Sequence, residues 1–131
     1  MNITEREKFR MKYAFLMHLT WQVIEADEQI LDEEVEYFAM LFPDKLQKVL
    51  QLEDEKERFD LYEKGVEKLP KLLSYDEKMD ILDVLVGASV SDGFMEFREF
   101  GIIEAASKVL DIPQDEFMSR FDYFFLKRQV L

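Results

Sequence analysis

Apolar residues recur along the chain three and four positions apart, the spacing that lines one face of an α-helix. Phe9, Tyr13, Leu16, Met17, Thr20 and Ile24 follow it and predict a helix from about Glu5 to Ile24. From Tyr13 onward this segment is apolar almost all round, which predicts a central, buried helix. A break spans Glu25 to Leu31. Asp32 then suits the N-cap of a second helix reaching Leu41, which Pro43 ends. Asp44 to Leu52 predicts a short helix with Leu46, Val49 and Leu50 inward. Glu53 to Leu69 predicts a charged amphipathic helix with the stripe Phe59, Tyr62, Val66 and Leu69, closed by Pro70.

Ser74 and Glu77 form a capping box, in which each side chain reaches the other's free backbone N–H. The helix it opens runs through Met79, Leu82, Leu85 and Val86 towards Val90. Ser91-Asp92-Gly93 is a turn signal. A further helix covers Phe97 to Leu110, and Asp111-Ile112-Pro113 connects it to a last one. Asp115 suits the cap of that last helix, whose Phe117, Phe121, Phe124 and Phe125 share a face. Strand signals are nearly absent. The expected fold is all-α: a compact bundle of six or seven helices forming one domain over residues 1–131.

The chain also resembles itself at an offset of 65 residues. Asp27 falls on Asp92 and Glu34 on Glu99. Around these anchors apolar meets apolar: Leu16 with Ile81, Met17 with Leu82, Leu19 with Val84, Val23 with Ala88 and Phe38 with Ile103. Each half reads as a helix, an acidic turn, an apolar residue three beyond the Asp, a Glu seven beyond it, and a second helix.

Composition narrows the chemistry. Hydrophobic residues make up 48% of the 131, enough for a core without covalent staples. Cysteine is absent, which excludes disulfides, thiolate nucleophiles and Cys-zinc sites and suits a reducing cytoplasm. The highly charged start lacks the apolar stretch of a signal peptide. No apolar run approaches the roughly 18 residues of a membrane span, so direct membrane insertion is not expected. The 29 acidic and 17 basic residues give a net charge of −12. That surface disfavours nucleic acid, whose binding depends on cationic contacts to phosphate. It suits cations, basic partners or plain solubility.

Val90-Ser-Asp-Gly-Phe-Met-Glu-Phe-Arg-Glu99 carries Asp92, Gly93, Met95 and Glu99 in a recurring pattern: a helix end, Asp-Gly, an aliphatic residue and a later Glu. Glu25 to Glu34 repeats it with Asp27, Ile30 and Glu34, but has Glu28 where the pattern has glycine. Lys108-Val-Leu-Asp-Ile-Pro113 follows. Over roughly Phe9 to Phe125 the chain resembles the TerB-like family, the tellurite-resistance protein B group. A related domain begins some membrane-tethered J-domain co-chaperones. The resemblance implies an all-α domain of pseudo-symmetric helical hairpins. It further implies an association with tellurite and chemical stress, and metal binding or adaptor roles without an established enzymatic activity.

Asp27, Glu34, Asp92 and Glu99, with Glu96 as a weaker member, are the candidate metal ligands. Carboxylates with water and backbone carbonyls suit hard cations, so calcium or magnesium fits better than zinc. The same residues have a purely structural reading: a Glu in a first helical turn favours the helix dipole, and an Asp in a turn bonds its own backbone. The spacing does not match an EF-hand, since Phe94 or Gln29 would fall at a ligand position. His18, the one histidine, has no nucleophile-elbow partner and reads as half-buried and structural. Trp21 reads as core or groove wall, and the Phe-rich last helix as core. No catalytic residue and no nucleotide-binding loop emerges. The expected function is a non-enzymatic adaptor with a protein partner, with divalent-cation binding as the alternative and a carboxylate-based enzyme the remotest reading.

Overall fold

In a computed structural model of the chain the backbone is described for residues 3–26, 30, 32–89 and 97–129, and the side chains for the same residues except 97 and 123–129. These residues form seven helices and no strand: α1 (Glu5–Glu25), α2 (Asp32–Leu41), α3 (Asp44–Val49), α4 (Glu55–Leu72), α5 (Tyr75–Ser89), α6 (Phe97–Val109) and α7 (Gln114–Gln129).

The centre is built from α1 and α5. The broad apolar surface of α1 buries Met11, Ala14, Phe15, Leu16, Met17, Leu19, Val23 and Ile24. α5 answers with Met79, Ile81, Leu82, Leu85, Val86 and Ala88. The two helices pack on each other, and each also contacts both α2 and α6. α4 lies on α1 as α7 lies on α5. Exchanging α1 with α5, α2 with α6 and α4 with α7 therefore maps these packed pairs onto one another, whereas the packing of α6 on α7 has no equal between α2 and α4 among the described residues. The matched residues of the internal repeat occupy corresponding places: Leu16 and Ile81, Met17 and Leu82, and Val23 and Ala88 are all buried.

The repeat extends to local backbone geometry. Lys48-Val-Leu-Gln-Leu52 ends α3 and Lys108-Val-Leu-Asp-Ile112 ends α6. Gln51 (φ 55°) and Asp111 (φ 58°) both adopt the left-handed conformation. The N–H groups of Leu52 and Ile112 reach back to the carbonyls of Gln47 and Ser107, at 2.8 and 2.9 Å. Those of Gln51 and Asp111 reach Lys48 and Lys108, both at 3.1 Å. These paired bonds define a Schellman cap, which folds the next apolar residue under the helix end. Leu52 and Ile112 are accordingly buried. Arg6 and Arg10 of α1 fasten the first of these caps, donating to the carbonyls of Val49 and Leu50 at 2.8 Å each.

Several sequence expectations need correction. Val49 is 59% exposed, not inward, because the cap turns Leu52 into the core in its place. Pro70 does not close α4; it lies in the last turn, and the helix continues to Leu72. A proline there removes only one helical N–H, and the Leu73 N–H still reaches the Leu69 carbonyl at 2.9 Å. Asp32 and Asp115 sit in the first turns of α2 and α7, not at the cap positions. Phe9 is 48% exposed, stacked on Tyr13 at 5.6 Å. The capping box of α5 forms as expected: the Ser74 N–H donates to Glu77 Oε1 at 3.1 Å and the Glu77 N–H to Ser74 Oγ at 3.2 Å.

Candidate functional site

An open groove of about 910 Å³ is bounded by α1, α2, α3 and the start of α4. One wall is the C-terminal half of α1, where His18, Trp21, Gln22 and Glu25 follow one another at helical spacing. Phe38 of α2 and Gln47 of α3 face them, and Asp54 to Phe59 form the remaining side.

Aromatic contacts fix the walls. Trp21 meets Phe38 edge-on at 5.3 Å, and Phe38 contacts Phe42 at 5.0 Å. The His18 ring is stacked on that of Tyr62, with centroids 3.9 Å apart and planes inclined at 30°, and lies 5.6 Å from Phe59. Burial and the nearby Arg58 guanidinium hold its pKa below the ordinary 6.5, against an opposing pull from Glu25. At neutral pH His18 is an uncharged aromatic surface. Phe59 remains 46% exposed at the rim.

The groove's charge is uneven. Glu25, Asp54 and Glu55 line it in exposed positions and form no ion pair among the described residues. Asp54 precedes α4 at the N-cap position but makes no side-chain capping bond. The Arg58 guanidinium is tied back, donating to the Leu52 carbonyl at 2.8 Å. Lys56 is the remaining base.

This groove has a filled counterpart in the other half. The Arg58 N–H bonds the Asp54 carbonyl at the start of α4, and the Phe117 N–H bonds the Pro113 carbonyl at the start of α7. Arg58 and Phe117 thus hold equivalent positions. Phe117 is 1% exposed and meets Phe100 of α6 at 5.8 Å and Phe121 at 6.2 Å. These rings seal α6 against α7. In the first half Val35 stands where Phe100 does, 43% exposed, and no comparable packing of α2 or α3 on α4 occurs among the described residues. The cause is legible in the chain: α6 is continuous, whereas its counterpart breaks at Phe42-Pro43 into α2 and α3.

Of the proposed metal ligands, Glu34 and Glu99 lie at corresponding places in the first turns of α2 and α6, at 1% and 2% exposure. Each has an interaction partner. Asp27, Asp92 and Glu96 lie outside the described residues. Among the described residues no three His, Cys, Asp or Glu side chains are grouped to hold a metal ion. No described helix is long and apolar enough to cross a membrane. The groove was only half visible beforehand: Trp21 suggested a wall, but the opposing residues come from segments distant in sequence.

Fold and site together describe an all-helical, internally repeated domain with one half sealed and the other open. The description of the tellurite resistance protein TerB family matches residues 14–120, and the chain belongs to that family. No curated protein and no solved structure matches it.

Proposed function

We propose that this TerB-family domain is a non-catalytic interaction module, and that it receives a protein partner in the groove bounded by α1, α2, α3 and the start of α4. The observation that carries this reading is the open groove itself, lined by Trp21, Phe38 and Phe59 where the other half is sealed by its own rings. Aromatic surface in a concavity with a polar rim is the composition of a partner site. The chemistry around it argues in the same direction. His18 stacks on Tyr62 beside Phe59, and no carboxylate or hydroxyl hydrogen-bonds its imidazole among the described residues, an arrangement that suits a wall of a binding groove better than a general base. The family's name associates this module with the response to tellurite.

The test is in-cell photo-crosslinking with a photoreactive phenylalanine at position 59, beside a control at the exposed Lys68. A discrete protein trapped from position 59 alone is the expected outcome. Equal or absent trapping at both positions overturns the reading.

The burial of Glu34 and Glu99 at equivalent positions favours a second reading, a divalent-cation site formed with Asp27 and Asp92. Both carboxylates already have an interaction partner, and a hard cation taking oxygen ligands from them would join that company. Calorimetric titration of chelator-stripped protein with calcium, magnesium and zinc tests it. Saturable heat lost in an Asp27→Asn/Asp92→Asn variant supports the site, and no saturable heat removes it.

A further inference from the structure

We infer that the groove's occupant is a basic amphipathic segment of the partner, which places a large apolar or aromatic side chain where the first half lacks its counterpart of Phe117. This rests on the interaction-module reading and adds the chemistry of what binds. Two observations carry it. The first is the comparison of halves. Phe117 is buried against Phe100 and Phe121, while the equivalent position holds Arg58, whose guanidinium turns away to the Leu52 carbonyl. Where one half has a buried aromatic ring, the other has an arginine lining an open groove whose walls are themselves aromatic. A partner ring entering there would make the edge and stacked contacts that these walls offer.

The second observation is charge. Glu25, Asp54 and Glu55 border the opening without ion partners among the described residues, and outnumber the two bases that line it, Lys56 and an Arg58 guanidinium that keeps its charge while held on the Leu52 carbonyl. His18 adds no positive charge at neutral pH. Lysine or arginine side chains flanking the apolar anchor would meet these carboxylates at the rim, where opposite charge sets orientation and association rate. The wider surface, at −12, attracts the same sign of partner. Helical partners present apolar and basic side chains together on adjacent faces, which suits an open groove better than a closed pocket.

The test uses the full chain and dye-labelled peptides of about 15 residues, long enough for marginal helix formation. One is a leucine–lysine amphipathic sequence with a central phenylalanine; the other replaces every lysine with glutamate. Fluorescence anisotropy reads binding. The lysine peptide is expected to bind saturably and the glutamate peptide not to bind. Glu25→Lys/Glu55→Lys should weaken the lysine peptide at least roughly tenfold, as expected for removal of rim charge complementarity. Arg58→Phe, which supplies the missing ring from within, should abolish binding. Circular dichroism identifies any variant that fails to fold, and the rim pair is the safeguard because both residues are exposed. Equal binding of the two peptides, or lysine-peptide binding indifferent to every folded variant, overturns the proposal. Absence of binding by the lysine peptide overturns it as well. A partner trapped from position 59 through an acidic segment would sink the basic occupant while leaving the module intact.

Discussion

At the scale of single residues, Gly87 decides how closely α2 approaches α5. A Cβ at this position would collide with the Tyr37 hydroxyl and lie 3.2 Å from Tyr37 Cζ. That hydroxyl donates to the Val84 carbonyl at 3.1 Å, and its burial, with Asp83 nearby, raises its pKa. Gly87→Ala gains about 1 kcal/mol of helix propensity but sets a methyl against a ring held in place. Overpacking costs about 1–3 kcal/mol, and the displaced hydrogen bond adds about 1 kcal/mol. The expected balance is a loss of about 1–3 kcal/mol in chemical denaturation. The loss should be smaller on a Tyr37→Phe background, because the hydroxyl is the first atom the methyl meets. Equal losses on both backgrounds would remove Tyr37 as the cause.

Helix ends carry most of what was legible at the scale of elements. The Ser74/Glu77 box was readable because capping is a local rule fulfilled within four residues. Glu77 also receives Lys8 at 3.2 Å and Lys12 at 3.8 Å from α1. Its pKa is lowered, most by the Ser74 backbone N–H; burial opposes this, and Lys8 and the Ser74 hydroxyl lower it further. A carboxylate with a depressed folded pKa stabilises above its unfolded value, and that stabilisation is lost as pH falls through the folded one. Glu77→Gln should therefore lower Tm at pH 7 and have little effect once the carboxylate is protonated. Thermal melts of both proteins from neutral to acid pH check this; a constant difference would assign the effect to shape rather than charge. Other features were hidden. The caps at Gln51 and Asp111 share a sequence, but they stand 60 residues apart while the acidic turns stand 65 apart. A fixed offset passes over them because the Phe42-Pro43 break lengthens the first half. Val49 misled for a related reason: helical periodicity assigns an inward face only until the cap redirects the chain.

At the scale of the molecule, the periodicity of α1 and α5 foretold the two buried helices because apolar surface of that width has nowhere else to go. The groove was not foretold, because it arises from what fails to pack. Its walls lie on four helices, and the difference between halves depends on Arg58 and Val35 standing where the other half has Phe117 and Phe100. The proposed acidic site was visible as spacing, and Glu34 and Glu99 hold equivalent buried positions. The net charge of −12 has a global consequence. Like charges oppose the compact state, and salt screens them over a Debye length of about 10 Å at 0.1 M. The exposed ion pairs that salt weakens are each worth at most about 1 kcal/mol. Tm should rise as sodium chloride increases from about 10 mM to about 100 mM. A fall would mean that the few ion pairs outweigh the general repulsion.

The placement of Trp21 bears on how unfolding of this protein is read. It is the chain's one tryptophan, and it stands on the groove wall, edge-on to Phe38 of α2. Its emission follows the separation of α2 from α1, whereas far-ultraviolet circular dichroism follows the helices as a whole. If α2 leaves before the central pair melts, the two curves separate, and the gap measures opening at the groove. A binder seated there would draw the curves together by raising the stability of the weaker edge.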